Sequence, residues 1–231
     1  MSWTEHGYPD ATRLATAVAG LLRDAIAADI AARGQATLAL AGGRTPWPVY
    51  RELAQAALPW SQVTLLPTDE RCVAHDHPAC NYTALRAAFD AAHAARLIPL
   101  TSPDGAADAA FVCAALAALP QPFTTVVLGM GGDAHTASLF PGAAQLEWAL
   151  AADAPDALRI DPVPLPAEAP FPRVSLSLAR LKRARALHLL IQGEAKRAVL
   201  HQAQARHAPL QFPISALLHD PALELQIHWS P

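Results

Sequence analysis

Two periods organise the apolar positions of this chain. Leu14, Val18, Leu21, Leu22, Ala25 and Ile26 recur at helical spacing within residues 10–33, and Gly34 follows as a stop, which predicts a long amphipathic helix. Residues 36–41 (ATLALA) form a short apolar run ending in Gly42-Gly43, the pattern of a buried strand entering a tight turn. Pro46 and Pro48 then open a helix to about residue 57, because proline is tolerated in a first turn. Residues 63–66 predict a second buried strand, and residues 81–95 and 106–119 two further helices. Residues 125–128 read as a strand delivered into a glycine-rich turn, 186–191 as another strand, 194–205 as a helix and 223–228 as an alternating final strand. Residues 151–171, with five prolines and several acids, read as a surface excursion.

Short apolar strands alternating with helices predict an α/β fold with a mostly parallel sheet covered on both faces, in a single domain spanning residues 1–231. Such sheets bind ligands outside the carboxyl ends of their strands. The unusual residues sit there: Gly42-Gly43-Arg44-Thr45 after one strand, Asp69-Glu70-Arg71 after the next, and residues 129–138 after a third.

Composition narrows the classes. Hydrophobic residues make up 52% and charged residues 16% of 231, which excludes a disordered chain. The net charge of −3 excludes a global basic field for DNA, RNA or an anionic membrane, so a bound anion must be held by a few local cations. The N-terminal residues lack the basic and apolar regions of a secretory signal, and no apolar run of about 20 residues predicts a membrane span. Three cysteines, Cys72, Cys80 and Cys113, are too few for a disulfide framework, so a reduced cytoplasmic protein is expected.

Each candidate motif has a bland alternative. In AGGRTP, Gly42 and Gly43 let the backbone approach a ligand, Thr45 is placed to cap the next helix, and that helix's N–H groups offer an anion site; otherwise the segment is only a tight turn. After the next strand, Asp69 or Glu70 is placed to bond a sugar hydroxyl and Arg71 to clamp a phosphate, or the three form a solvated charged turn. In GMGGDAHTASLFPG, His135 at a strand's end suits a general base near neutral pH, with Asp133 orienting it or contacting substrate; alternatively it is a turn histidine without chemistry. Lys196 sits in a helix's first turn, where the dipole disfavours a cation, so it either meets an anion there or belongs to a solvated face. Cys72, His75, His77 and Cys80 are four potential zinc ligands, but their spacing matches no common zinc pattern, and no metal is expected.

Five segments in order, LALAGGRTPWPVYREL, LPTDERCVAHDHPACNY, VVLGMGGDAHTASLFPG, PRVSLSLARL and LLIQGEAKRAVL, resemble the 6-phosphogluconolactonase family over most of the chain. The resemblance implies a three-layer α/β/α fold, a modified Rossmann-like arrangement similar to ribose-5-phosphate isomerase and glucosamine-6-phosphate deaminase. It also implies hydrolysis of a small sugar-phosphate lactone without metal or organic cofactor, and with no nucleic-acid or membrane partner. Carried over by motif, His135 would activate water and Arg71 and Lys196 would bind phosphate. Gly42, Gly43 and Thr45 would line the site, and Asp69 would contact substrate. Arg44 and Arg173 are further candidates: Arg44 for a phosphate contact or else a solvent-facing position, Arg173 for reaching phosphate or bracing the sheet. Four positions depart from the family pattern: Ala134 stands where glycine is usual, Gly132 where an acid is frequent, Arg44 where serine is common, and Cys80 replaces a serine. If the usual glycine has a positive φ, Ala134 adds strain of roughly 1–2 kcal/mol.

Two rivals remain. An amino-sugar phosphate deaminase or isomerase would carry Asp-Glu-Tyr where this chain has Asp69-Glu70-Arg71. A non-catalytic sugar-phosphate sensor would keep the cations and lose the base, whereas His135 is present.

Overall fold

The computed structural model describes residues 3–167 and 169–231. Within them the chain runs β1 (Trp3–Gly7), α1 (Ala11–Arg33), β2 (Ala36–Leu40), α2 (Trp47–Leu53), β3 (Val63–Pro67), β4 (Asp69–Arg71), α3 (Asn81–Ala88), β5 (Arg96–Leu97), α4 (Ala109–Ala117), β6 (Phe123–Gly129), α5 (Leu146–Leu150), β7 (Ala157–Ile160), β8 (Arg173–Leu176), α6 (Leu178–Lys182), β9 (Ala184–Gln192), α7 (Glu194–Ala205), α8 (Ser215–Leu218) and β10 (Leu225–Ser230).

Helix α1 begins where the Asp10 side chain accepts the Arg13 N–H at 2.7 Å and ends at Gly34, whose φ of 76° is left-handed. All five residues of β2 are buried, as a central strand covered on both faces requires. Successive side chains alternate between two cores. Leu38 and Leu40 of β2, Val127 of β6 and Leu190 of β9 pack under α1, α2 and α3. Ala39, Val126, Leu128, Leu187, Leu189 and Ile191 pack on the opposite face, against α4 to α8. Helices therefore flank a central sheet on both sides.

The sheet is seven-stranded among the described residues, in the order β1-β10-β9-β6-β2-β3-β5, and its recorded pairings are parallel. From β2 the chain builds outward through β3 to β5; from β6, beside β2, it builds the other way through β9 to β10. The direction reverses between β2 and β6, and a crevice opens at such a point outside the carboxyl ends of the strands.

Several sequence expectations need correction. The helix expected to reach residue 57 ends at Leu53, because Gln55 and Ala56 close tight turns onto Glu52 and Leu53 ahead of Pro59. The single helix expected over residues 81–95 is α3 followed by a short 3-10 turn, Asp90–Ala92. Residues 151–171 are only partly a surface excursion: β7 lies within them and pairs antiparallel with β8, which pairs antiparallel with β4 in a second, three-stranded sheet. Strands of three or four residues carry too little periodicity to be seen alone, and partners far along the chain define them. Strand β1 escaped for a related reason: it joins the edge of the main sheet by pairing with β10, more than 200 residues away in sequence.

Candidate active site

The turns after β2, β3, β6 and β9 line one cavity of about 970 Å³. Of the ten residues singled out from sequence as catalytic or substrate-binding, Gly42, Gly43, Arg44, Thr45, Asp69, Arg71, Asp133, His135 and Lys196 line it; Arg173 does not. Three cations, Arg44, Arg71 and Lys196, and two carboxylates, Asp69 and Asp133, therefore share its wall.

After β6 the chain turns sharply, with the Gly131 N–H donating to the His135 carbonyl at 2.9 Å and the Ala134 N–H to the Gly131 carbonyl at 3.1 Å. The turn brings His135 Nδ1 to 2.5 Å from Asp133 Oδ1, which also accepts the His135 backbone N–H at 3.1 Å. An ionised carboxylate only accepts, so Nδ1 carries the proton, and in the neutral ring Nε2 is a bare acceptor. Burial pushes the Asp133 carboxyl up, but the hydrogen bonds and charge of His135 outweigh it and leave it below the ordinary range. The imidazole rests on Phe140, ring centroids 4.1 Å apart. A Cβ at Gly131 would come within 2.2 Å of the imidazole, so the ring occupies space only glycine leaves open. Ala134 does hold a positive φ, of 64°, and its methyl is fully buried in the core.

Arg71 Nη1 donates to the Ala79 carbonyl at 2.7 Å and to Asn81 Oδ1 at 3.0 Å. Its Nε is buried and has no partner among the described residues. A buried donor left unpaired costs about 1–3 kcal/mol, so this edge of the guanidinium is suited to an incoming oxyanion. The Asp69 carboxylate accepts the Ser138 hydroxyl at 2.5 Å and the Thr68 hydroxyl at 3.2 Å, and it is only 8% exposed.

Glu70 has no part in lining the cavity. Its fully buried carboxylate accepts the backbone N–H groups of Arg71, Asn81 and Tyr82, each at 2.7 Å, and so anchors the start of α3 to β4. Burial raises its pKa against those three hydrogen bonds.

The expected cap by Thr45 is not formed: Pro46 takes the capping position of α2, and no side chain bonds there. Pro46 and Pro48 also lack N–H groups, so the first turn of this seven-residue helix makes a poor anion cradle. What the segment contributes is close approach, since a Cβ at Gly42 would sit 2.2 Å from Asn81 Oδ1. Arg173 is 3% exposed, and its two Nη groups donate to the carbonyls of Phe171 and Ala169 at 2.6 and 2.7 Å, bracing that loop instead of facing the cavity.

The cysteine–histidine run disperses. Cys80 Sγ turns inward to Glu70 at 3.6 Å, His75 Nε2 meets Thr101, and His77 Nδ1 accepts the Ala79 N–H. Among the described residues no group of three or more His, Cys, Asp or Glu could hold a metal. The lining residues that sequence reasoning did not single out include Asn81, Phe140 and Gln192, as well as residues 163–167. Asn81 carries no local signal, being one polar residue at a helix start.

Residues 9–229 match the family model described as glucosamine-6-phosphate isomerases/6-phosphogluconolactonase. The chain is 39% identical over 236 residues to a 6-phosphogluconolactonase of Rhizobium meliloti, covering 100% of both chains. It is 39% identical over 230 residues to one of Pseudomonas putida, covering 98% of this chain and 92% of that one. The crystal structure of a 6-phosphogluconolactonase from Shewanella baltica superposes with a TM-score of 0.92 at 30% identity, over 99% of this chain and 97% of that one.

Proposed function

This chain belongs to the glucosamine-6-phosphate isomerase/6-phosphogluconolactonase family, and from that premise we infer that it hydrolyses 6-phospho-D-glucono-1,5-lactone to 6-phospho-D-gluconate, the second step of the oxidative pentose phosphate pathway. The observation that carries the mechanism is the Asp133–His135 contact within the cavity that Arg71 and Lys196 also line.

His135 Nε2 takes a proton from a water as its oxygen attacks the lactone carbonyl carbon, giving a tetrahedral oxyanion and an imidazolium. Asp133 holds the ring in the required tautomer and stabilises the positive charge that develops on it. As the carbonyl re-forms, the bond to the ring oxygen breaks and the imidazolium returns its proton to that oxygen. The products are an open-chain hydroxy acid, which ionises, and the neutral base. The phosphate does not react; Arg71 and Lys196 bind it, with Arg44 as a third cation, and its binding energy orients the lactone for attack. Asp69 and the Gly42–Gly43 turn contact the sugar. No metal or organic cofactor enters this reading. No described helix is long and apolar enough to cross a membrane. The three cysteines are free, which suits a reducing compartment such as the cytoplasm.

The test is a lactonase assay on freshly generated substrate, corrected for spontaneous hydrolysis and repeated with His135→Ala. The variant should lose about 10²- to 10⁴-fold in kcat while still binding 6-phosphogluconate by calorimetry. Unchanged kcat would remove His135 from the mechanism. Ammonia release from glucosamine 6-phosphate, without lactone hydrolysis, would replace the assignment altogether.

A further inference from the structure

Asn81 joins three edges of the cavity. Its Oδ1 accepts from Arg71 Nη1 at 3.0 Å, its Nδ2 donates to the Asp69 carbonyl at 2.8 Å, and the Gly42 turn packs directly on its carboxamide. Its backbone is also fixed, because its N–H donates to the buried Glu70 carboxylate at 2.7 Å. The residue is 2% exposed, so the carboxamide has little freedom to turn. Its two ends are distinct: the oxygen must face the guanidinium and the nitrogen the carbonyl, or two donors and two acceptors would meet.

A guanidinium has two usable faces. In Arg71, Nη1 is committed to Ala79 and Asn81, which leaves the other edge, Nε with Nη2, for a ligand; Nε is the buried atom without a partner. We propose that Asn81 is the positioning residue that selects the Nε–Nη2 edge of Arg71 for the substrate phosphate, and thereby sets the preference for phosphorylated over unphosphorylated lactone. Without the carboxamide oxygen, Nη1 keeps one acceptor, Ala79 O, about which the plane can swing. The charge then remains but the two-point geometry is lost. This inference rests on the phosphate-binding role of Arg71 proposed above.

The experiment compares kcat/KM for 6-phosphogluconolactone and for glucono-1,5-lactone, which lacks the phosphate, in wild type, Arg71→Ala, Asn81→Ala and the double variant. Asn81→Ala should lose about ten-fold more on the phosphorylated lactone, through KM, than on the unphosphorylated one, whose smaller loss comes from the Asp69 and Gly42 contacts the carboxamide also makes. The double variant should be no worse than Arg71→Ala, because the carboxamide acts through the guanidinium. Equal losses on both lactones, or additive losses in the double variant, overturn the inference alone. Wild-type preference in Arg71→Ala overturns the phosphate role of Arg71 and this inference with it. Should Asn81→Ala fail to fold, Asn81→Ser decides: its side chain stays polar but is too short to hold Arg71 Nη1, so the same selective loss is expected, and a loss shared by both lactones refutes the positioning role.

Discussion

His135 Nδ1 lies 2.5 Å from Asp133 Oδ1, and the same oxygen accepts the His135 backbone N–H at 3.1 Å. Two contacts from one carboxylate atom to one residue fix both the rotation of the ring and the backbone that carries it. Asp133→Asn keeps the shape but offers a donor as readily as an acceptor, which lets the wrong tautomer form. We expect kcat to fall about 10- to 10³-fold with KM within two-fold, as measured by initial rates on the lactone. A wild-type kcat would mean that the carboxylate does not orient the base.

Gly131→Ala tests the ring's position from the other side. The added methyl would meet Cε1 and Nδ1 of His135 at 2.2 Å and Asp133 Oδ1 at 2.6 Å. Because ring and carboxylate are the movable parts, the fold should survive while the base is displaced by about 1 Å, with a loss on the order of 10² in kcat. Far-ultraviolet circular dichroism alongside kinetics separates displacement from unfolding.

Arg173→Met separates bracing from binding. The guanidinium holds the carbonyls of Phe171 and Ala169; without it the Phe171 carbonyl loses its partner while the Ala169 carbonyl keeps the Phe171 N–H at 2.8 Å, at a cost of about 1–3 kcal/mol. The midpoint of thermal unfolding should drop by roughly 2–12 °C, while the preference for phosphorylated over unphosphorylated lactone stays as in wild type. A lost preference would return Arg173 to the substrate.

On the α1 face of the sheet, Tyr8 Oη is hydrogen-bonded to His228 Nδ1 at 2.9 Å, and His228 Nε2 lies 3.0 Å from His188 Nδ1. Burial, and secondarily the charge of His6, pushes His188 down to about 4; burial, then His188 and His6, pushes His228 down to about 3. Both are therefore neutral in the folded protein at pH values where an unfolded histidine, with a pKa near 6.5, is protonated. The unfolded chain binds more protons between about pH 6.5 and 4, so stability falls as pH falls through that window, by up to about 1.4 kcal/mol per pH unit for each ring. Urea midpoints from pH 7.5 to 5 should show this slope, and His188→Gln, which keeps a hydrogen-bonding amide, should flatten it. An identical slope in the variant would place the acid sensitivity elsewhere.

Periodicity and punctuation made much of the fold legible from sequence. Helix α1 ran between Asp10 and Gly34 as its pattern and its glycine stop required, and α7 matched residue for residue. The central strands β2, β3, β6 and β9 were readable because burial on both faces leaves a continuous apolar run, and the turns after them stood out for their glycines and charges. Strand pairing was the decision of tertiary structure: β4, β7 and β8 exist only because each finds the others across the chain, and short strands gain their hydrogen bonds from partners. The same holds within the cavity. Residue types and local order already named His135, Asp133, Arg71 and Lys196 as candidates, but whether Glu70 or Asp69 faced the cavity, and whether Arg173 faced it at all, depended on the direction of each side chain. Alternation along a strand only three residues long cannot settle that; the buried N–H groups of α3 drew Glu70 inward, and two carbonyls drew Arg173 away. Asn81 gained its place for the same reason, since a carboxamide becomes a positioning group only where folding sets a guanidinium on one end and a carbonyl on the other.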